Sequence, residues 1–254
     1  LDEPEVIKSE PLVKLNIGAG PNIFPFDGWV NYDREYSQIY FNQLHGIAQE
    51  LRTLPHDKLS PNTVSWTNSM TDHQRALINY LVNGGKIDYK ITDVQNPFPQ
   101  HNDNSVDIIY LGQMIEHLNP IYTIPNLLNE CYRMLKPGGI LRITTPDLDL
   151  LIDAYKNNDL DKFAKEQPEF YKNADPASQL SFLIYGACGP DCKWNNYEGH
   201  MFLFNKKSMR TFLTKSGFEK IEFFNKDMLT NNEIIKIEIN DEGLSHSLIV
   251  EAVK

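Results

Sequence analysis

The residues "VKLNIGAGPNIFPFDGWVNYDRE", 13–35, contain two short apolar runs separated by a glycine turn, and the second run ends in Asp33. Apolar runs of this length that stop at a glycine or an acid are typical of buried parallel strands. In an open parallel sheet, ligands bind outside the carboxyl ends of the strands. Gly18 and Gly20 remove side chains at the first of these ends. The stretch therefore predicts an α/β sheet with a ligand beside its first turn.

The rest of the chain continues this pattern, with short apolar runs that alternate with amphipathic segments. After the first two runs, strands are predicted at 86–93, 106–112, 140–146, 219–224 and 245–253. Helices are predicted at 72–85, 124–139, 147–155 and 206–218. Strands that alternate with helices predict a doubly wound, mostly parallel sheet of the Rossmann-like type.

Capping and stop signals define ends of three of these helices. Asp72 is the expected N-cap of the first, whose apolar face should carry Ala76, Leu77, Tyr80 and Leu81. Ser208 is the expected N-cap of the last helix. The segment Lys136-Pro137-Gly138-Gly139 is a strong stop signal for the helix that precedes it.

Composition limits the possible partners. With 254 residues, 41% of them apolar, the chain is long enough for one full hydrophobic core. Its 24 basic and 34 acidic residues give a net charge of −10, so no nucleic-acid partner is expected. No apolar stretch approaches the roughly 20 residues that a membrane-spanning helix needs. Three cysteines suit a reducing compartment, and a cytoplasmic location is expected.

The domain boundaries follow from charge and proline content. Residues 1–11 are charged and bounded by Pro4 and Pro11, which predicts a linker or tail. Residues 12–254 are predicted to form one domain, and 147–200 an insertion over the carboxyl edge of the sheet. The chain starts without Met, which fits a domain cut from a longer chain.

The glycine turn lacks the features of a phosphate site. A dinucleotide pyrophosphate calls for a third glycine three places on, where Ile23 stands. Asp33 at the end of the second strand can accept hydrogen bonds from both hydroxyls of a ribose. Asp93 could accept one from an adenine amino group, while the Val94 N–H meets a ring nitrogen. The expected ligand is a nucleoside without a phosphate.

Four ordered motifs resemble those of class I S-adenosylmethionine-dependent methyltransferases. They are "LNIGAG", "NYD", "ITDVQNPFPQHNDNSVDIIYLGQMIEHL" and "LNECYRMLKPGGILRITTPD", and the resemblance covers residues 13–147. It implies a seven-stranded sheet of order 3-2-1-4-5-7-6 with strand seven antiparallel. The implied cofactor is S-adenosyl-L-methionine, and the implied product S-adenosyl-L-homocysteine.

The resemblance also implies which residues hold the cofactor, namely Asn16, Gly18, Ala19, Gly20, Asp33, Arg34, Asp93, Val94, Gly112 and Gln113. Two features depart from the family pattern. Asn16 stands where an acid is usual, which weakens the expected contact to the methionine amino group. The helix usual between strands one and two is reduced to "PNIFPFDG", 21–28.

Methyl transfer is an in-line displacement, and holding the reactants about 3 Å apart in a dry site supplies most of the catalysis. A hydroxyl acceptor must also lose its proton, and histidine suits that transfer near neutral pH. His117 is the first candidate base and His200 the second, with Asp147 orienting the base or the acceptor. The alternative is that both histidines are structural.

No metal is expected. Some relatives bind Mg²⁺ through an E-x-x-E-H pattern, but Gln113 replaces the first acid here and leaves only Glu116 and His117. A zinc site built from Cys188, Cys192 and His200 would lack a fourth ligand.

The insertion contains aromatic and polar residues that could stack on a sugar ring and bind its hydroxyls. The candidates are Trp194, Tyr197, Asp191 and Tyr185. The subgroup with a short first crossover resembles enzymes of glycan and cell-surface polymer modification, often fused to glycosyltransferases. The expected activity is O-methylation of a sugar hydroxyl in a glycan or sugar conjugate. N- or C-methylation of a small metabolite and a non-catalytic binding module are the alternatives.

Overall fold

The computed structural model describes most of the chain. The described residues are 11–20, 23–25, 28–34, 37–166, 169–185, 199–225 and 246–254. Within them the strands are β1 (Lys14–Ile17), β2 (Trp29–Asp33), β3 (Asp88–Ile91), β4 (Val106–Gly112), β5 (Leu135–Pro146), β6 (Lys220–Phe224) and β7 (Ser247–Val253). The α-helices are α1 (Ser37–Thr53), α2 (Pro61–Ser69), α3 (Asp72–Val82), α4 (Thr123–Met134), α5 (Leu148–Lys156), α6 (Glu169–Asn173), α7 (Pro176–Tyr185) and α8 (Lys206–Lys215).

These strands form one seven-stranded sheet of order β3-β2-β1-β4-β5-β7-β6. The strands β1 to β5 pair in parallel, and β7 runs antiparallel to β5 and β6. The predicted fold class, strand order and antiparallel seventh strand are confirmed. All carboxyl ends of the parallel strands consequently lie at one edge of the sheet, where the candidate site is.

The central strands are apolar on both faces because helices cover both sides of the sheet. The main core joins β1, β4, β5 and β7 to α4 and α8, and Leu15, Ile109, Leu141, Leu128 and Leu213 are completely buried there. Among the described residues, no helix is long and apolar enough to cross a membrane.

Three helices lie between β2 and β3, whereas the described residues between β1 and β2 contain none. Only α3 was predicted in this region. Its buried residues are Leu77, Ile78 and Leu81, so the prediction that Ala76 lies on the apolar face is wrong. The physical reason is that α3 packs against α1, which turns Ile78 inward and leaves Ala76 exposed.

Both residues predicted as N-caps lie inside their helices, and each helix begins with a capping box. Thr71 caps α3, and the Gln74 side chain accepts a hydrogen bond from the Thr71 backbone N–H, so Asp72 is the first helical residue instead of the cap. Asn205 caps α8 and Ser208 is its reciprocal partner at the third helical position. Thr71 and Asn205 both have the extended backbone that an N-cap needs.

The stop signal Lys136-Pro137-Gly138-Gly139 lies inside β5 and not at the end of a helix. The helix α4 ends at Met134, and the sheet register shifts between the pairs Val106–Leu135 and Ile108–Ile140. The prolyl and glycyl residues therefore form an irregularity at the start of the strand. Pro137 is not paired with β4 in this irregular part, so its missing N–H removes no hydrogen bond between the two strands.

Candidate cofactor and acceptor site

The glycine turn after β1 is fastened to the end of β2. Gly18 and Gly20 have φ of +73° and +48°, in the left-handed region that favours glycine. The N–H groups of Gly18 and Ala19 both donate to the Tyr32 carbonyl, at 2.8 and 3.0 Å. The N–H of Gly20 donates to Oδ2 of Asp33. The turn therefore packs against the end of β2 instead of projecting away from the sheet.

Asp33 lies at the centre of this arrangement. Its side chain is buried, and its Oδ1 accepts a hydrogen bond of 2.7 Å from the Arg34 N–H. The carboxylate thus faces the glycine turn, as a ribose-binding acid must. A buried carboxylate that accepts backbone N–H bonds has a defined orientation.

Met114 packs over Gly18. A Cβ added to Gly18 would overlap the Met114 side chain, which is buried in the main core. Because Gly18 has no side chain, the Met114 side chain fits against the turn, and a ligand could also approach the turn closely. Methionine is unbranched and flexible, so it can adjust its shape beside a bound group.

Asn16 takes part in a buried hydrogen-bond network next to the turn. Its Nδ2 donates to Oδ1 of Asn31 at 2.9 Å, and the same oxygen accepts from the Phe24 N–H at 2.8 Å. Asn31 in turn donates to the carbonyl oxygens of Phe24 and Asp88. This network ties Phe24, which lies between β1 and β2, to β2 and thereby to β1 and β3.

The ends of β3 and β4 contribute the other residues predicted to hold the cofactor. Asp93 is exposed and its Oδ1 accepts from the Gln95 N–H at 3.0 Å, while Val94 is buried. Gly112 ends β4. Gln113 follows with φ of +49°, an unfavourable value for a residue with a Cβ, and such conformations cluster at functional sites.

Gln113 points toward β7. Its backbone N–H donates to the Thr144 carbonyl at 2.8 Å, and its Nε2 donates to Oγ of Ser247 at 2.9 Å. These bonds hold the residue in its strained conformation and join the end of β4 to β5 and β7.

Three side chains converge just beyond Gln113. Glu116 and His117 lie in the short 3₁₀ helix Ile115–His117, and His200 arrives from the segment before α8. Their nearest ligand-type atoms all lie within 4.8 Å of one another. The rings of His117 and His200 are 5.1 Å apart between centroids, and Nε2 of His117 is 3.8 Å from Oε1 of Glu116.

Backbone contacts bring His200 to this position. The N–H groups of Met201 and Phe202 donate to the Glu116 carbonyl at 2.8 and 3.1 Å. The His200 N–H donates to the Tyr185 carbonyl at 2.8 Å. The segment is thereby tied both to the 3₁₀ helix and to the end of α7.

Burial changes the electrostatics of the cluster. Desolvation raises the pKa of Glu116 to about 7, although a hydrogen bond from Thr145 Oγ1 opposes the shift. Desolvation, together with the nearby His117, lowers the pKa of His200 to about 4. At neutral pH His200 is therefore uncharged, and Glu116 holds its proton more tightly than an exposed glutamate does.

Asp147 is the N-cap of α5. Its Oδ1 accepts from the Asp149 N–H at 2.9 Å, and desolvation raises the pKa of its carboxyl group. Its predicted role in orienting the base or the acceptor stays a prediction. Tyr185 ends α7 with an exposed ring. The other predicted acceptor residues, Trp194, Tyr197 and Asp191, lie outside the described residues, as do Cys188 and Cys192.

The donor set suits S-adenosylmethionine in its adenosine half. A buried carboxylate faces a glycine turn at the end of β2, and a second acid stands at the end of β3. Both lie at the carboxyl edge of the same parallel sheet. Nothing in this set requires a phosphate.

Sequence comparison identifies a known domain in the middle of the chain. Residues 59–143 match a methyltransferase domain. The match contains β3, β4, α4 and most of β5, and it supports the expectation that the chain is an S-adenosylmethionine-dependent methyltransferase. It does not include the glycine turn or His200. No curated protein sequence matches the chain significantly.

Solved structures of methyltransferases are similar to the chain at low identity. One is the S-adenosylmethionine-dependent methyltransferase SibL in its apo form, at 11% identity and a TM-score of 0.47, covering 95% of this chain and 50% of that one. Another, from Mesorhizobium loti, has 15% identity and a TM-score of 0.40, with coverages of 96% and 91%. Human N-acetylserotonin methyltransferase with S-adenosylmethionine has 13% identity and a TM-score of 0.42, with coverages of 95% and 47%. The chain spans about half the length of the first and third of these proteins.

The sequence analysis missed two contributors to the site. Thr145 donates to Glu116 from β5, and Met114 covers Gly18. Neither residue type signals such a role, because threonine in a strand and methionine after one are ordinary core residues. Their position within two of the quoted motifs is the available signal.

Proposed function

We propose that this chain transfers a methyl group from S-adenosyl-L-methionine to a hydroxyl group of a sugar in a glycan or sugar conjugate. The single observation that carries the proposal is the convergence of His117 and His200 just beyond β4. The pair lies at the edge of the sheet that also carries Asp33 and the glycine turn. A hydroxyl acceptor needs a proton acceptor at that edge, whereas a neutral amine does not.

In this proposal the cofactor lies across the ends of β1 to β4. Asp33 binds the ribose hydroxyls, and Asp93 with the Val94 backbone binds the adenine. The ends of β1 and β4, from Gly18 to Gly20 and at Gly112 and Gln113, bind the remainder. S-adenosylmethionine supplies a methyl group on a positively charged sulfur, which makes the group transferable without redox chemistry.

His117 is the proposed proton acceptor. Its Nδ1 lies 3.4 Å from the Gly199 carbonyl oxygen, so a proton on Nδ1 leaves the Nε2 lone pair as the basic site. Nε2 faces Glu116, which can stabilise the imidazolium that forms. His200 packs against the ring, and Asp147 is proposed to orient the acceptor.

The acceptor is proposed to bind against the insertion. The exposed ring of Tyr185 lies at the end of α7, and its carbonyl is hydrogen-bonded to His200. An exposed aromatic ring on the segment that is hydrogen-bonded to His200 suits a pyranose, which offers one apolar face for stacking and hydroxyls at its rim. Trp194, Tyr197 and Asp191 are proposed to complete the acceptor site. The enzyme is also proposed to be cytoplasmic and to be fused to glycosyltransferase domains.

The test uses isotopically labelled S-adenosylmethionine with a panel of glycans, free sugars and amines, followed by mass spectrometry. The expected result is a gain of one methyl group on a glycan hydroxyl, and the loss of that activity in His117→Ala. Methylation of amines or carbon acceptors alone would assign the chain to small-metabolite methylation. Absence of cofactor binding at millimolar concentration would leave only a binding module with this fold.

A further inference from the structure

We propose that Glu116, His117 and His200 form a binding site for a divalent first-row transition-metal ion such as Zn²⁺. The inference concerns metal binding and does not depend on the proposed methyl transfer. From the sequence no metal is expected, because Gln113 replaces the first acid of the E-x-x-E-H pattern, and His200 is considered only together with Cys188 and Cys192. The structure supplies the third ligand from a distant part of the chain.

The geometry is close to that of a three-ligand site. The candidate ligand atoms lie within 4.8 Å of one another, and one pair, Nε2 of His117 and Oε1 of Glu116, is separated by 3.8 Å. Ligand bonds of about 2.1 Å place neighbouring atoms of a tetrahedral site about 3.4 Å apart. Small side-chain rotations would therefore close the site around an ion.

Each of the three side chains is held from behind by a hydrogen-bond partner. Nδ1 of His200 is 3.1 Å from the Ile184 carbonyl oxygen, and Nδ1 of His117 is 3.4 Å from that of Gly199. Oε2 of Glu116 accepts from Thr145 Oγ1 at 3.0 Å. Histidines that bind metals typically donate their other ring N–H to a carbonyl, which directs the opposite nitrogen toward the ion.

The donor types select the class of metal. Two imidazole nitrogens and one carboxylate oxygen suit Zn²⁺ and similar transition-metal ions, whereas Mg²⁺ prefers a set of oxygen ligands. The residue that could have added a second carboxylate is Gln113, and its amide donates to Ser247 instead. Three protein ligands leave coordination positions open, as in catalytic zinc sites.

Such an ion would change the role of His117. A bound metal ion lowers the pKa of a hydroxyl group that coordinates it. Occupancy of the site therefore determines whether His117 binds the ion or accepts the proton itself.

The test is isothermal titration of the chelator-treated full chain with Zn²⁺ and with Mg²⁺, under reducing conditions, and Co²⁺ absorption spectroscopy as a second readout. We expect one Zn²⁺ per chain, a visible Co²⁺ spectrum typical of low coordination number, and no saturable Mg²⁺ binding. His200→Ala should weaken Zn²⁺ binding by at least about 100-fold, and Thr145→Val by about tenfold or more.

His45→Ala is the matched control. His45 is exposed on α1 and, like His200, has its Nδ1 near a backbone carbonyl oxygen, that of Phe41 at 3.1 Å. Its removal should leave the affinity unchanged. Circular dichroism establishes that each variant folds, and His117→Gln provides a second ligand variant if His200→Ala does not.

Three results would overturn the proposal. The first is Zn²⁺ affinity that is unchanged in both histidine variants. The second is loss of the site in Cys188→Ser/Cys192→Ser, which would assign the ion to the thiols. The third is saturable binding of Mg²⁺ but not Zn²⁺. Methyl transfer with no Zn²⁺ site would contradict this inference alone, and a Zn²⁺ site in a chain that does not bind S-adenosylmethionine would contradict only the proposed function.

Discussion

The imidazole rings of His117 and His200 lie 5.1 Å apart, although one follows β4 and the other precedes α8. The contact depends on the Glu116 carbonyl, which accepts the N–H groups of Met201 and Phe202 and so aligns the two segments. The pair combines His117, the proposed proton acceptor, with a neighbour that stays neutral at physiological pH, since burial lowers the pKa of His200 to about 4.

His117→Ala is expected to reduce kcat for a hydroxyl acceptor by about 10²- to 10⁴-fold, because it removes the proton acceptor. The affinity for S-adenosylmethionine, measured by isothermal titration, should change less than twofold. A kcat close to that of the unmodified protein would remove His117 from the mechanism. His45→Ala again serves as the control for loss of a histidine.

Asp33→Asn is expected to weaken S-adenosylmethionine binding by about 10- to 100-fold. The amide keeps the size of the side chain but loses the charged acceptor for the ribose hydroxyls, and charge-assisted hydrogen bonds contribute about 1.5–3 kcal/mol. Isothermal titration measures the effect. Asp88→Asn is the control, because Asp88 lies in the neighbouring strand β3 with an exposed carboxylate. Equal affinities of the two variants would contradict the assignment of Asp33.

Gly18→Ala is expected to cost more stability than Gly138→Ala. Both glycines have positive φ, +73° and +82°, so both substitutions carry the left-handed penalty of about 1–2 kcal/mol. Only at Gly18 would the new Cβ overlap Met114, whereas no atom lies within 4 Å of the position at Gly138. Urea unfolding should show an excess loss of about 1–3 kcal/mol at Gly18.

The same experiment in a Met114→Ala background isolates the overlap. The excess cost of Gly18→Ala should largely disappear there, since the shortened side chain no longer occupies the space. If the two substitutions prove additive, Met114 does not pack over the turn in solution.

Glu116→Gln is expected to alter the pH dependence of stability in the metal-free protein. Burial raises the pKa of Glu116 from 4.5 to about 7, so the native state holds this proton more tightly than the unfolded chain does. Stability contributed by the protonated group is fully present below pH about 4.5 and is lost as the pH rises through about 7. The loss is about 3 kcal/mol in total.

The variant should lack this loss, because an amide does not titrate. His200 contributes in the opposite direction, since its lowered pKa removes stability as the pH falls from 6.5 toward 4. The difference between the unmodified chain and Glu116→Gln therefore reports the titration of the glutamate together with its coupling to His117. Chemical denaturation at several pH values, with a chelator present, measures it, and parallel curves would contradict the raised pKa.

The strands are predictable from the sequence, and their order in the sheet is predictable from the family resemblance. Buried parallel strands such as 106–112 are mostly apolar runs with clear ends, and the four ordered motifs predict which strand ends face the cofactor. Asp33 was predictable for the same reason, because its position at a strand end follows directly from the local pattern. These features depend on neighbours in the chain, which a sequence displays.

Tertiary structure alone decided the rest. The face of α3 depended on its packing against α1, and the space above Gly18 depended on Met114. The grouping of Glu116, His117 and His200 required the segment before α8 to hydrogen-bond with the 3₁₀ helix after β4. Contacts between residues far apart in the chain form only when the sheet brings them together, so no local pattern records them.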